Sequence, residues 1–297
     1  MEWFVFALLV PAFWGMNNVF YKFLMTKKFQ SYFSMVSFLV FIDLIFAFII
    51  FLVNPISFNF PYILFAMAIG LIPLLAFWFY SKALMVEEIS RIVPLFQFIP
   101  IFVVLLSVMF LNEILGVQRY FGITLIVIAS MLISYRKSNG GKSLFSTFRF
   151  MIPFSIVLAI DSVLNKFLLS YLDYWSLFFW SLMGSFIGVV FLLTFSKPRR
   201  EFFEMVTNIG KRTFLVTLIG EGIYLLGLIC WLIATSLGFV SLVSAFAGLQ
   251  PFYVFGYMLF LSLFMPKILK EEVSKEVISL KIFSIALMFL GTFLVTV

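Results

Sequence analysis

Residues 83–113 read ALMVEEISRIVPLFQFIPIFVVLLSVMFLNE, and a second version of this stretch follows 151 positions later as ATSLGFVSLVSAFAGLQPFYVFGYMLFLSL. The offset puts Ala83 on Ala234, Ser90 on Ser241 and Pro100 on Pro251. Both copies read as the end of one apolar helix, a very short turn, and a second apolar helix with proline and glutamine in its first half. From Ile92 to Leu111 there is no charge, which is about the length needed to cross a bilayer. The pair is therefore a transmembrane hairpin, and its repetition makes the chain a duplicated unit.

Composition agrees. Of 297 residues, 64% are hydrophobic and 11% charged, far from the mix of a soluble domain. There is no histidine and one cysteine, Cys230, so Ser-His-Asp, Cys-His and His-ligated metal chemistry are excluded, as is a disulfide framework. No GxxxxGK[ST] loop is present for ATP, and no GxSxG elbow. The 44 phenylalanines are read as apolar filler. Met1-Glu2-Trp3 carries no basic leader, so the first apolar run is expected to be a retained helix and not a signal peptide.

Ten apolar segments can be drawn, at 3–25, 31–53, 61–84, 91–111, 120–135, 150–171, 175–195, 214–236, 240–264 and 279–297. The one real linker, RKSNGGKSLFSTFR at 136–149, divides them five and five. The duplication extends to both flanks: Lys22-Phe23-Leu24 recurs as Lys166-Phe167-Leu168, and FGITLIVIASMLIS from Phe121 recurs as FSIALMFLGTFLVT from Phe283. Five spans per copy is an odd number, so the second copy sits upside down relative to the first. The expected fold is an all-α integral membrane protein, ten transmembrane helices in two inverted five-helix repeats, with a binding site between the halves near the midplane.

Lysine and arginine set the orientation. Seventeen of them fall in the loops after spans 1, 3, 5, 7 and 9, whereas the opposite loops hold essentially Arg119. The positive-inside rule then puts both termini outside and the central linker in the cytoplasm. The same distribution makes nucleic acid an unneeded explanation for the net charge of +7.

The ten spans, Trp14-Gly15 followed by Lys22, and the run Ala83-Leu84, Glu88, Ser90-Arg91, Pro94, Pro100, Leu111, Glu113 and Gly122 resemble the drug/metabolite transporter superfamily, in particular its EamA-like members. The resemblance covers essentially the whole chain and is nearly silent on substrate. It implies EamA-like repeats at 1–135 and 150–297 joined by a cytoplasmic linker at 136–149. It also implies a secondary transporter of the cell membrane, working by alternating access, with a cavity lined by spans 1, 3, 4, 6, 8 and 9. The second half departs from the pattern after span 9, where Pro266 to Glu272 replace the expected Gly-Glu. The resemblance implies cytoplasmic termini as well; the charge distribution implies the opposite, and the orientation is taken from the charge.

Intramembrane acids are costly and usually functional. Glu221 in span 8 is followed at helical spacing by Tyr224, Leu228 and Trp231; the matching stripe in span 3 is Gly70, Pro73, Phe77 and Tyr80. Glu221 is either a cavity residue that binds a cation or exchanges a proton, or a solvated residue at the interface. Asp161 in span 6 has Asn165 one turn on, and the repeat maps them to Asn17 and Tyr21 in span 1. Asp161 is the foremost candidate for proton coupling or a substrate cation, against a structural interhelical hydrogen bond. Asp43 in span 2 is given a pairing or packing role. Asn17, Asn18, Gln97 and Gln250 can orient a polar substrate or join helices; Pro94 and Pro100 flank Gln97 and free backbone carbonyls there. Lys22 and Lys166 snorkel to opposite surfaces or meet a substrate carboxylate. Gly184 and Gly188 form a GxxxG in span 7, a mark of close helix packing.

The expected function is export of a small polar or amphipathic metabolite such as an amino acid, with Asp161 and Glu221 coupling it to protons. The alternative is a lipid or lipid-carrier flippase on the same scaffold. An enzyme is not expected. No cofactor is expected either; the partners are the small-molecule substrate, protons and the lipid bilayer, and the protein acts as a monomer or homodimer.

Overall fold

The computed structural model describes residues 2–25, 32–86, 92–134, 144–264 and 275–296. Among these, every one of the ten apolar segments is helical and no strand occurs. Seven helices or helix pairs are long and apolar enough to cross a membrane, and three shorter apolar helices lie at Leu95–Leu111, Val117–Leu132 and Ile282–Thr296. Large side chains such as Phe48, Leu52, Phe110, Phe191 and Phe293 stand exposed on the outside of the bundle. An apolar belt of this extent suits a lipid solvent and not water.

The first two helices are continuous, α1 at Glu2–Met25 and α2 at Tyr32–Val53. The third span, expected as one helix, is two: α3 at Tyr62–Gly70 and α4 at Ile72–Val86. The cause is Pro73, which has no N–H to offer the carbonyl four residues back. The Ser185 hydroxyl donates to the neighbouring Gly70 carbonyl at 2.6 Å, satisfying the backbone at the break.

The fourth and ninth spans break at matching places. A 3-10 turn at Val93–Gln97 leads into α5 at Phe98–Leu111. In the second half α11 at Val240–Ala247 stops before α12 at Gln250–Phe264. Pro100 and Pro251 lie 151 apart, each just past its break, and impose the same interruption on both copies. The Gln97 side chain donates from Nε2 to the Gly248 carbonyl at 3.3 Å, a bond between positions that are also 151 apart.

The remaining elements are α6 at Val117–Ser134, α7 at Leu144–Leu168, α8 at Tyr174–Leu192, α9 at Ser196–Asn208, α10 at Lys211–Leu237 and α13 at Lys275–Thr296. Helix α7 begins inside the expected linker, so only its first part, outside the described residues, can serve as a connector. Helix α9 was expected to be loop. It is amphipathic instead: Phe202 packs with Phe38 and Ile42, while Lys197, Arg199 and Arg200 precede it on the polar side.

Packing follows an exchange pattern. Helix α1 packs mainly on α10 and α12, α7 on α4 and α5, α6 on α13, and α2 on α8. The α3–α8 crossing is close because both helices present glycine. A methyl on Gly70 would collide with the Ser181 backbone, and one on Gly184 with the Met67 backbone. The GxxxG of the seventh span therefore lies at a helix crossing. The main core runs through both halves and includes Phe178, Leu225, Trp231, Leu242 and Phe246.

Candidate functional site

Two carboxyls meet inside the bundle. The Asp43 side chain from α2 lies beside that of Glu221 from α10, and their residues are only 7% and 3% exposed. Two neighbouring carboxyl groups can share one proton. Glu221 is ten residues into α10, about 15 Å along the helix axis. It is therefore buried inside the bundle.

The approach of helices that brings the acids together comes from the residues around Glu221. Gly222 faces the Phe46 ring, where an added Cβ would come within 3.0 Å, and Gly220 faces Asn17 and Phe20 of α1. One turn on, Tyr224 stacks on Trp14 with ring centroids 6.2 Å apart. Gly227 leaves room for that indole: a methyl there would come within 2.6 Å of it. Tyr224 also lies near Glu221, Asp43 and Asp161.

Asp161 is half-buried on α7, and the Asn165 amide donates to the Asp161 backbone carbonyl at 2.8 Å. Asn17 is buried, and its Oδ1 has no partner among the described residues; the same holds for Asp43 Oδ1 and Trp14 Nε1. Buried polar atoms are normally paired, so three open ones around one acid cluster mark a place where a polar ligand or water fits. No group of three acids or cysteines among the described residues is close enough to hold a metal ion.

The other sequence-derived residues divide. Gln97 is buried against Gly248 with its Oε1 open, beside the helix breaks. Gln250 opens α12, where its backbone carbonyl approaches Gly15. Trp231 is buried in the main core. Tyr80 stands apart in an aromatic cluster with Phe96 and Phe154, at 5.5 and 5.8 Å, between α4 and α7. Asn18 is exposed on α1, turned away from Asn17. The Tyr21 and Lys22 side chains, and Glu87, Glu88 and Arg91, lie outside the described residues.

At the Trp3 end of the bundle, two charged groups hold the turn between α10 and α11. The Lys166 ammonium donates to the Thr235 and Gly238 carbonyls at 2.7 and 2.8 Å, closing the C-terminus of α10. The Glu113 carboxylate accepts from the Val240 and Ser241 N–H groups at 3.0 and 3.2 Å and from the Ser241 hydroxyl at 2.8 Å, closing the N-terminus of α11. Each charge meets the helix end whose dipole favours it. Asn112, in the left-handed region at φ 53°, ends α5 and turns the chain into Glu113. The sequence offered Lys166 as a snorkelling residue and Glu113 only as part of a family pattern; nothing in the linear spacing connects them to residues 70 and 127 positions away.

Comparisons with known proteins agree with this architecture. A crystal structure of a protein 14% identical superposes with a TM-score of 0.73, covering 99% of this chain and 95% of that one. At that identity the likeness is one of fold. Comparison with curated proteins finds no match. Residues 1–135 match the model of the EamA-like transporter family. With its multiple apolar helices, the chain is a multi-pass membrane protein whose first 135 residues are similar to the EamA-like transporter family.

Proposed function

We propose that the protein is a non-enzymatic secondary transporter of the cell membrane that exports a small polar or amphipathic metabolite, such as an amino acid, in exchange for protons. The observation that carries this reading is the adjacent Asp43–Glu221 pair, buried between α2 and α10. A substrate ammonium entering the cluster would displace the shared proton and take its place beside the carboxyls. Asp161 with Asn165, Asn17 and Tyr224 would orient its polar end, and Trp14 would cover its apolar part. This extends the coupling role from Asp161 and Glu221 to Asp43.

The proposed architecture is ten spans in two inverted five-helix halves, 1–135 and 150–297. The matched breaks before Pro100 and Pro251, the Gln97–Gly248 bond and the exchange pattern of helix packing all favour it. Discontinuous helices at a repeat interface are where transporters commonly place their sites. Rocking of one half against the other would open the cluster alternately to each side. The basic flank of α9 and the loop lysines and arginines favour termini on the outer side.

The reading is tested by thermal denaturation of the purified full chain against amino acids, polyamines, nucleosides, sugars and soluble lipid headgroups, at acidic and neutral pH. The expected result is a stabilising shift with one class of metabolite that depends on pH and is lost in Asp161→Asn or Glu221→Gln. A shift with headgroups alone would contradict metabolite export and turn the reading to a flippase. A metabolite shift that both variants retain would remove the cluster from the binding site.

A further inference from the structure

A cavity of about 440 Å³ opens at the Trp3 end of the bundle, beside the turn held by Lys166 and Glu113. Both of these residues line it, together with Arg119, Ser170 and the exposed rings of Phe167 and Phe239. By sequence position alone, the charge distribution assigns eighteen of the twenty lysines and arginines to the opposite face. The two that remain, Arg119 and Lys166, converge on this cavity.

The donors and acceptors in it do not balance. Both Glu113 oxygens are already taken by α11, so its charge is held by the helix end. Lys166 gives two of its three N–H bonds to the α10 carbonyls, leaving one. The Arg119 guanidinium has no hydrogen-bonding or ion-pair partner among the described residues, and its planar fork suits a carboxylate or phosphate. The cavity is therefore rich in unused cationic donors, with aromatic rings at its rim.

We propose that this cavity binds the anionic group, carboxylate or phosphate, of an amphipathic ligand between Arg119 and Lys166, and that binding releases the α10–α11 turn. Lys166 is the link. An anion competes for its ammonium with the Thr235 and Gly238 carbonyls, and the turn loses one of its two fastenings. The site is separate from the Asp43–Glu221 cluster. Only its consequence, opening of this end, rests on the transporter reading.

The test reads exposure of the turn and not transport, so its failure leaves the central-cluster reading standing, and the reverse. Leu242, 2% exposed at the cavity wall, is replaced as Leu242→Cys in a Cys230→Ser background. The full chain in phosphatidylcholine nanodiscs is labelled with a polar maleimide, with and without N-acetylphenylalanine, and with its uncharged amide. The carboxylate is expected to raise the labelling rate about tenfold, since a hydrogen bond to a charged group is worth an order of magnitude or more. The amide should do nothing. Arg119→Gln should lose the response, read as the ratio of its own rates with and without carboxylate, whereas Lys166→Met should label fast with no anion present. Phosphatidylglycerol nanodiscs distinguish the source of the anion. Fast labelling there without added carboxylate, abolished by Arg119→Gln, assigns the site to a lipid headgroup; fast labelling only with the soluble carboxylate assigns it to a solute. An equal response to carboxylate and amide, a response unchanged in Arg119→Gln, or no response to either anion source overturns the proposal.

Discussion

Glu113 holds α11 through three hydrogen bonds from one carboxylate, and this is the residue whose loss should be felt most directly in stability. Glu113→Gln keeps the shape but removes the charge and one acceptor, and should cost about 1–2 kcal/mol, the range for a charged N-terminal cap. Ser241→Ala removes only the hydroxyl bond. The double variant should lose less than the sum of the two, because they share one interaction. Denaturation of the four proteins in detergent measures this, and full additivity would show that the cap does not act as a unit. At this scale the sequence was only partly legible. That Asp161 and Glu221 stand in apolar runs could be read from the sequence; that Glu221 would be buried could not. That Asp43 would reach Glu221 could not, since the contact depends on α2 approaching α10 beside Gly222, and pairing between helices leaves no trace in linear spacing.

Helix crossings show how the elements are fixed. At the α3–α8 crossing a side chain on Gly184 has nowhere to go, because the atoms it meets belong to the Met67 backbone. Gly184→Ala should therefore destabilise the fold by roughly 1–3 kcal/mol, as overpacking does. Gly188→Ala, which meets only the movable ends of Leu71 and Leu74, should cost less. Gly256→Ala, with open space around it, should be neutral or slightly stabilising in a helix. Melting temperatures in this order are expected; equal effects at Gly184 and Gly256 would mean that α3 and α8 are not in close contact. The spans themselves were legible because charge-free runs of this length have one common use, and GxxxG is a pattern of contact. The breaks were less so. Pro73, Pro94 and Pro100 were visible, yet whether a proline kinks, breaks or merely sits in a helix depends on which neighbours satisfy the backbone around it, as Ser185 does at Gly70, next to the carbonyl that Pro73 frees. Helix α9 was hidden because its basic residues were counted as loop charge, while its apolar stripe is too short to register as a span.

Across the whole molecule, duplication was the most informative signal in the sequence, since the 151-residue offset can be tested at every pair. Its echo is direct at Gln97 and Gly248, and in the shared break before Pro100 and Pro251. The offset also shows where the halves differ: Glu221 and Tyr224 occupy the positions of Gly70 and Pro73, so one half carries an acid where the other carries a helix break. The proposed orientation follows from charge alone, and a tag at either terminus should be reached from outside intact cells by an impermeant reagent; labelling only after permeabilisation would reverse it. The central claim is that the Asp43–Glu221 pair exchanges a proton for substrate. Proteoliposomes containing the full chain and a trapped pH-sensitive dye test this most directly, with amino acids added on one side. The prediction is a proton flux driven by one substrate class and lost in both Asp43→Asn and Glu221→Gln; a substrate-driven flux that survives in both variants, or substrate uptake with no proton movement, would contradict it.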